Sequence, residues 1–526
     1  MFTAASCNIQ SDVLHHSKLN GKIAIYPGND YDDLADFLQQ LPSYENSPHE
    51  SRSSEPFLIT YNLEMPGAPF TAFECNTQGI ERFKKHEQKS TQKARIVFLR
   101  GFPDADWLRA VFMVYGVDPA FYQRHLLFPV GNGMNVHSTP LLPSYMKNIF
   151  RLNITSICEL ERKISSTPED IEDLRAAAAT ELRRYHISLK SNALIGDSVV
   201  RNFSILSRRF SVIEQTISIC INKTADSWNA MIWMDNARDL SNSIPGPWCP
   251  EDNTNPWETY MLPILQHRDY LSLCNDRSQE AIPPALIQPW EANQNACLLP
   301  FQYGRFLDKE ILYHDALYAI SDVFRLSAAS EAKFLNIIND VINHELEVSK
   351  NLNKASMVNL QYLRRLIDNH IDGIKETVLV LSSQDQFAWP RAGPGTNQHG
   401  VADGMRGLLL NDFLHLSQRA ELLSKGCQKG MQSLVNTAAF QEAAKGVANA
   451  QRVEQLTLLA TIFVPLTFTC SIFGMNFAVF GQGELQLWIF APVAAGVVAL
   501  SYALWYVAGY NSRRRSASNL GNQVNN

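Results

Sequence analysis

Two uncharged apolar stretches near the C-terminus constrain this chain more than anything else in its 526 residues. The first, 455–476, ends in Gly474, Met475 and Asn476, and the second covers 485–510. A helix needs about 20 apolar residues to cross a bilayer core, so each stretch is long enough to span. The loop between them, 477–484, is short, which predicts a single two-helix transmembrane hairpin. Pro465 cannot donate its backbone bond and frees the Thr461 carbonyl, which in a membrane must be satisfied by a neighbouring helix, a hydroxyl or water. One line along this span, Leu456, Ala460, Val464, Thr467 and Ser471, advances by four or three residues and is small or mildly polar. Such a line suits a pore wall or a helix contact, and close packing through small residues is its commoner use.

The run LTLLATIFVPLTFTCSIFGMNF resembles the first transmembrane helix of the CorA family of magnesium and divalent-cation channels, whose signature is Gly-Met-Asn at the outer end of that helix. The bare tripeptide is a weak signal. Placed at the end of a proline-containing apolar span, with a second span about ten residues later, it is a strong one. The resemblance covers residues 420–515 closely and the rest only in the order of elements.

The fold expected is an α+β cytosolic domain, a mixed sheet with helices, joined by a long stalk helix to the transmembrane hairpin. Two helices cannot enclose a pore, so conduction requires several copies around an axis. The resemblance implies a funnel-shaped homo-oligomer, a pentamer, in which the first span lines the channel and the second faces lipid with Trp488, Trp505, Tyr506 and Tyr510 near its ends.

Magnesium holds six waters and releases them reluctantly. By resemblance Asn476 is the selectivity residue, its carboxamide holding the ion through hydrating water beside the Gly474 and Met475 turn. Thr467 offers a second hydroxyl ring. Val453, Leu456 and Val464 fall where the family narrows its pore with apolar side chains, able to gate by dewetting. Glu484, the only carboxylate of the loop, occupies the place of a family residue that attracts cations to the mouth.

The chain also departs from the family. Ala450 stands where the family often has a polar Asn, with Asn449 on another face, and Val464 replaces the usual methionine. The family's cytosolic acidic sensor residues have no match, Asp412 and Glu442 being only nearby candidates. The divalent ion is cargo, and no cofactor is expected.

Charge sets the orientation. Arg513, Arg514 and Arg515 follow the second span, Lys445 and Arg452 precede the first, and the loop NFAVFGQGE has no basic residue, so both termini are expected in the cytosol. The start MFTAASCNIQSDVLHHSKLN lacks the apolar core of a signal peptide and has too few arginines for a transit peptide. Nine cysteines without a C-x-x-C fit a reducing compartment, and a net charge of −6 argues against a nucleic-acid partner. Glycosylation sequons at Asn153, Asn202 and Asn222 are expected to be unused. The plasma membrane is the expected address, with a vacuolar or other internal membrane as the alternative.

In chain order, residues 1–55 are expected to be poorly ordered apart from a short helix at 31–41, and a cytosolic α/β domain follows at 56–325. Within it, strands are predicted at 57–63, 70–73, 96–99, 210–221 and 228–234, helices after Asp104 and Asp118, and a polar helix at 168–182. Residues 243–304, rich in Pro and Trp, read as an irregular insert that Trp248, Trp257 and Trp290 could order. Helices follow at 326–384, carrying His344 and His370, then a flexible linker at 385–402, a stalk helix at 403–454 with a coiled-coil-like seam from Leu409 to Ala438, and a basic tail at 511–526. Glycines at Gly426, Gly430 and Gly446 could bend the stalk or allow close approach, or break it at Gly446.

Glu214, Asp235 and Asp239 form a candidate acidic metal site, against the commoner reading of surface carboxylates at strand ends. The two histidines are expected to be ordinary core or surface partners. No phosphate loop, H-E-x-x-H or G-x-S-x-G is present, so the chain is not read as an enzyme. The principal reading is a divalent-cation channel. The alternative is a membrane-anchored CorA-like scaffold or signalling protein without transport.

Overall fold

The computed structural model of the chain describes residues 9–19, 22, 25–39, 56–64, 70–89, 93–127, 148–160, 171–224, 227–249, 259–266, 294–348, 354–476 and 487–523. The chain divides into two compact units, Met1–Gly430 and Met431–Asn526.

The first unit is built on one sheet of β1 (Pro56–Asn62), β2 (Thr71–Glu74), β3 (Ala94–Arg100), β4 (Ile149–Leu160), β5 (Asn202–Ile205), β6 (Phe210–Lys223), β7 (Trp228–Met234) and β8 (Thr259–Leu262). Their order is β2-β1-β3-β7-β6-β4-β8, with β5 paired to β6. β3 and β7 are parallel, Ala94 beside Trp228 and Arg100 beside Met234, and the other pairs are antiparallel. The sequence ARIVFLR of β3 is buried at every position, as a strand covered on both faces must be.

One face carries α1 (Ile9–Ser17), α2 (Asp32–Gln39), α3 (Thr77–Lys89), α4 (Ala105–Tyr115) and α5 (Pro119–Leu126), whose Val13, Leu38, Phe83, Trp107 and Phe121 share a core with Val97, Leu99 and Trp233. Gly116 ends α4 at φ 60°, a conformation that costs glycine nothing. Asp118 accepts from the Ala120 N–H at 2.9 Å to start α5. The expected helix near 31–41 is α2. The expectation of poor order before residue 56 fails at 9–17, because Ile9 and Val13 close the core over α4.

α7 (Ser321–Val348) runs along β4, with Phe324 stacked on Phe150 at 5.7 Å, and is followed by α8 (Lys354–Ser382). β4 itself escapes the sequence reading. Its polar Asn153 and Thr155 face α7, where the Ser327 hydroxyl donates to the Asn153 carbonyl at 2.7 Å and Thr155 donates to Glu331 at 3.1 Å. α6 (Ile171–Asn192) continues through the basic LRRYH and packs Tyr185 edge-on to Trp248 at 4.8 Å. The insert therefore contributes Trp248 and β8, while Trp257 and Trp290 lie outside the described residues.

The stretch read as a flexible linker is a packed connection. Trp389, 4% exposed, stacks on Phe150 at 5.5 Å, Arg391 pairs with Asp385 and Asp403, and Arg406 reaches Asp385 at 3.1 Å. α9 then starts at Asn397 and runs 80 residues to Asn476 without a break at Gly446, some 120 Å at 1.5 Å per residue. The expected coiled-coil-like seam is buried within the same chain at Leu409, Phe413, Leu416, Ala420 and Cys427. Ser424 donates to Asp368 of α8 at 2.7 Å, and a Cβ on Gly430 would meet Leu346 of α7 at 2.5 Å. This half of the seam is satisfied by α7 and α8, which is why no second chain is needed to cover it.

The second unit holds the rest of α9 and α10 (Phe490–Gln523). α10 begins five residues after the expected start of the second span and continues as helix through most of the tail read as basic and cytosolic.

Candidate functional site

From Met431 onward α9 exposes what it buries earlier. Val453, Leu456 and Val464 are 60%, 65% and 66% exposed. The apolar windows of α9 and of Phe490–Val507 in α10 have mean hydropathy 1.6 and 1.7, and 6% of each is buried. The core helix of a soluble domain would be mostly buried, so these apolar surfaces are meant for another medium.

At about 100° per residue, Val453, Leu456, Ala460, Val464, Thr467 and Ser471 fall within an arc of roughly 80°. The structure thus brings Val453, Leu456, Val464 and Thr467 onto one stripe of one helix. Gly474 and Met475 follow on the same helix, and Asn476 is its last residue, its backbone some 120° beyond the edge of the stripe by the same count. Glu484 lies outside the described residues.

The hydroxyls of this span share one habit. Thr457, Thr461, Thr467, Thr469 and Ser471 each donate to the carbonyl four residues earlier, Thr467 to Phe463 at 2.6 Å and Thr469 to Pro465 at 2.8 Å. This meets the hydroxyl's own need for a partner in a dry medium. It also commits the proton, so that the Thr467 oxygen faces its surroundings as an acceptor only. Thr469 and, on α10, Ala494 are small residues buried in the spans, 4% and 7% exposed. The sequence alone gives no role to the hydroxyls of Thr457, Thr461 and Thr469, although the spacing Thr457, Thr461 already places a hydroxyl over each preceding turn.

The acidic constellation does not assemble. Asp235 is fully buried and accepts two 2.7 Å bonds from Arg201, one from the Thr216 N–H at 2.7 Å and one from His125 Nε2 at 3.2 Å. Burial pushes its carboxyl up, yet the charges and hydrogen bonds of Arg201 and His125 together outweigh that and hold it down at about 2. Asp239 caps a short turn by accepting from Ser241, and Glu214 accepts from Asn202 at 3.0 Å. Among the described residues no group of three His, Cys, Asp or Glu could hold a metal ion. The candidate fails because each carboxylate already has a structural partner.

The histidines split. His344 is exposed. His370 is buried on Phe334, with Nδ1 2.9 Å from Glu331 and Nε2 3.7 Å from Glu214. Burial pushes its pKa down, but the two carboxylates prevail and raise it to about 10. His125, which the sequence did not single out, behaves oppositely. Burial lowers it to about 4 against the pull of Asp235, and its Nδ1 lies 2.8 Å from the Ser218 hydroxyl. His125 and His370 are both buried and held by neighbouring side chains. The sequon residues Asn153 and Asn202 sit in strands, and Asn222 bonds Asn229 across β6 and β7 at 3.4 Å.

Residues 396–508 match the family described as CorA-like Mg2+ transporter protein. No curated protein matches the chain. Among solved structures, the CorA magnesium transporter from Methanocaldococcus jannaschii is similar at 11% identity, covering 67% of this chain and 96% of that one, with a TM-score of 0.28. That score is too low to carry an argument about the fold, and the weight falls on the match at 396–508. With it, the two apolar helices make the chain an integral membrane protein with two spans.

Proposed function

Residues 396–508 make this chain CorA-like, and from that premise we propose that it conducts hydrated divalent cations, magnesium first among them, across a membrane as a homo-oligomer. The observation that carries the reading is the coincidence of that family match with an exposed stripe on α9 that leads to Gly474, Met475 and Asn476. One chain contributes one stripe, and a closed ring of copies, five by resemblance, turns the stripes into a wall.

A hydrated cation presents water hydrogens outward, so its first contacts should be acceptors that leave the water shell in place. The amide oxygen of Asn476 is such an acceptor, and a neutral one binds weakly enough to release the ion. The Thr467 hydroxyl, its proton held by Phe463, repeats the same chemistry deeper in the pore. Val464, Leu456 and Val453 then form apolar rings that close by dewetting and open on slight widening. Lipid covers the second span. Both termini face the cytosol, with Glu484 drawing cations to the outer mouth.

The test is uptake. Proteoliposomes loaded with a magnesium-sensitive dye should respond to external magnesium, and Asn476→Ala should remove at least nine-tenths of the initial rate while the oligomer stays intact. Silence from a folded, oligomeric wild-type protein would sink transport and leave the membrane-anchored scaffold as the reading.

A further inference from the structure

Within the unit Met1–Gly430, a cavity of about 560 Å³ opens between α6, β5 and α8. That volume lies in the ~300–1,000 Å³ range of small-molecule sites. The space exists because α6 presents Ala176 and Ala179 where larger side chains would fill it.

Two guanidiniums line it. Arg175 is fixed in place, its Nε donating to the Ile205 carbonyl at 3.0 Å and Nη1 to Asn359 at 2.9 Å, with the group 3.7 Å above the Tyr362 ring. This arginine has a structural task, tying α6 to β5. Arg365 has none of that kind. It is exposed, sits 5.8 Å from the same ring, and among the described residues makes no hydrogen bond or ion pair with the protein. Its neighbour Arg364, by contrast, stands 3.7 Å from Asp368. Glu172 is the one carboxylate on the lining, so the lining carries net positive charge.

We propose that this cavity binds a small organic anion bearing a phosphate or carboxylate group. Arg365 grips the anionic group through its planar fork, helped by the remaining N–H groups of Arg175. The body of the ligand lies on Tyr362 and in the space above Ala176 and Ala179. The proposal does not depend on transport, since it concerns a soluble face of the first unit.

Isothermal titration of the full-length protein, in buffer free of divalent ions, tests it with AMP, ATP, citrate, inorganic phosphate and adenosine. At least one of AMP, ATP and citrate should bind, and adenosine should not. A response to the nucleotides identifies a phosphate ester, and one to citrate a carboxylate. Arg365→Gln should weaken that binding at least tenfold. Ala176→Leu, which keeps a strong helix former, fills the cavity and leaves charge unchanged, should do the same, while Arg364→Gln should keep wild-type affinity. The proposal is overturned if none of the three organic anions binds at millimolar concentration, if inorganic phosphate binds as tightly as they do, or if binding survives both Arg365→Gln and Ala176→Leu.

Discussion

The helix Asn397–Asn476 does two different things along one uninterrupted backbone. Between Leu409 and Cys427 its seam residues find α7 and α8, and Leu409, Phe413 and Leu416 are at most 4% exposed. Between Val435 and Ile472 residues of the same kind are left uncovered, Val464 at 66%. Each such side chain left in water forgoes about 1.5–3 kcal/mol of burial. The first half is therefore specified by its own chain, whereas the apolar surface of the second half finds no cover within it.

Substitutions that remove a buried partner should separate the halves most sharply. Asp235→Ala leaves the Arg201 guanidinium facing a hole and strips Thr216 and His125 of an acceptor. Breaking a buried pair from one side costs about 3–5 kcal/mol, a large part of the stability of a domain. Denaturant unfolding read by tryptophan fluorescence should show the loss, and an unchanged midpoint would refute the burial argument for the first unit. No single apolar-to-alanine change on the exposed stripe should approach that size in detergent.

This contrast also explains what was legible in advance. The spans and the strands β1, β2, β3, β6 and β7 announce themselves because one periodicity dominates each. β4 and α1 do not. β4 leaves neither alternating set exposed, since α7 meets Phe150 through Phe324 and the Thr155 hydroxyl through Glu331, so its alternation carries no exposed polar face. α1 packs through Ile9, Val13 and the half-buried Leu14, too short a set to stand out as a period. The seam of α9 was legible as a seam but its partner was not, because heptad spacing serves α7 and α8 as well as a second chain. Likewise Glu214, Asp235 and Asp239 share a neighbourhood in sequence, and only the fold reveals Arg201, Asn202 and a turn as their partners. The tripeptide ending at Asn476 is plain in the sequence, whereas the commitment of the Thr467 proton emerges only with its bond to Phe463.

The next effect in size is on pH. His370, raised from 6.5 to about 10, binds its proton more tightly folded than unfolded. Its contribution is complete below pH 6.5 and is lost as pH rises through 10. His125, lowered from 6.5 to about 4, contributes fully above 6.5 and loses that contribution as pH falls through 4. Unfolding of the first unit should therefore become easier on both sides of neutrality. His370→Leu should flatten the slope above pH 6.5, below the higher range in which the buried Cys158 thiol loses its own contribution, and keep the acid one. A slope in that window that survives the substitution would remove His370 from the account.

A smaller, functional contrast lies within the exposed half. Thr467→Val keeps the shape of the stripe and removes its acceptor, so magnesium uptake should fall several-fold. Thr461 bonds Thr457 in the same way but lies roughly 80° from Val453 on the opposite flank of the stripe from Thr467. Thr461→Val should therefore change uptake by less than twofold. Equal losses from both would show that the hydroxyls act on the helix and not on the ion.

The finest test applies one substitution to both halves. A helix-interior glycine costs about 0.5–1 kcal/mol relative to alanine, and Gly446 has nothing within 4 Å of where its Cβ would stand. Gly446→Ala should therefore stiffen α9 and either raise the thermal midpoint or leave it unmoved. At Gly430 the new methyl would come 2.5 Å from Leu346 Cδ2 and 3.4 Å from Leu360 Cδ1. Both are far ends of flexible side chains, so they can yield, at an overpacking cost of about 1–3 kcal/mol that exceeds the gain in helix propensity. Gly430→Ala should thus lower the midpoint modestly. If both variants gained stability equally, α9 would be packed no more tightly before residue 430 than after it, and the division of labour along the helix would fall with that result.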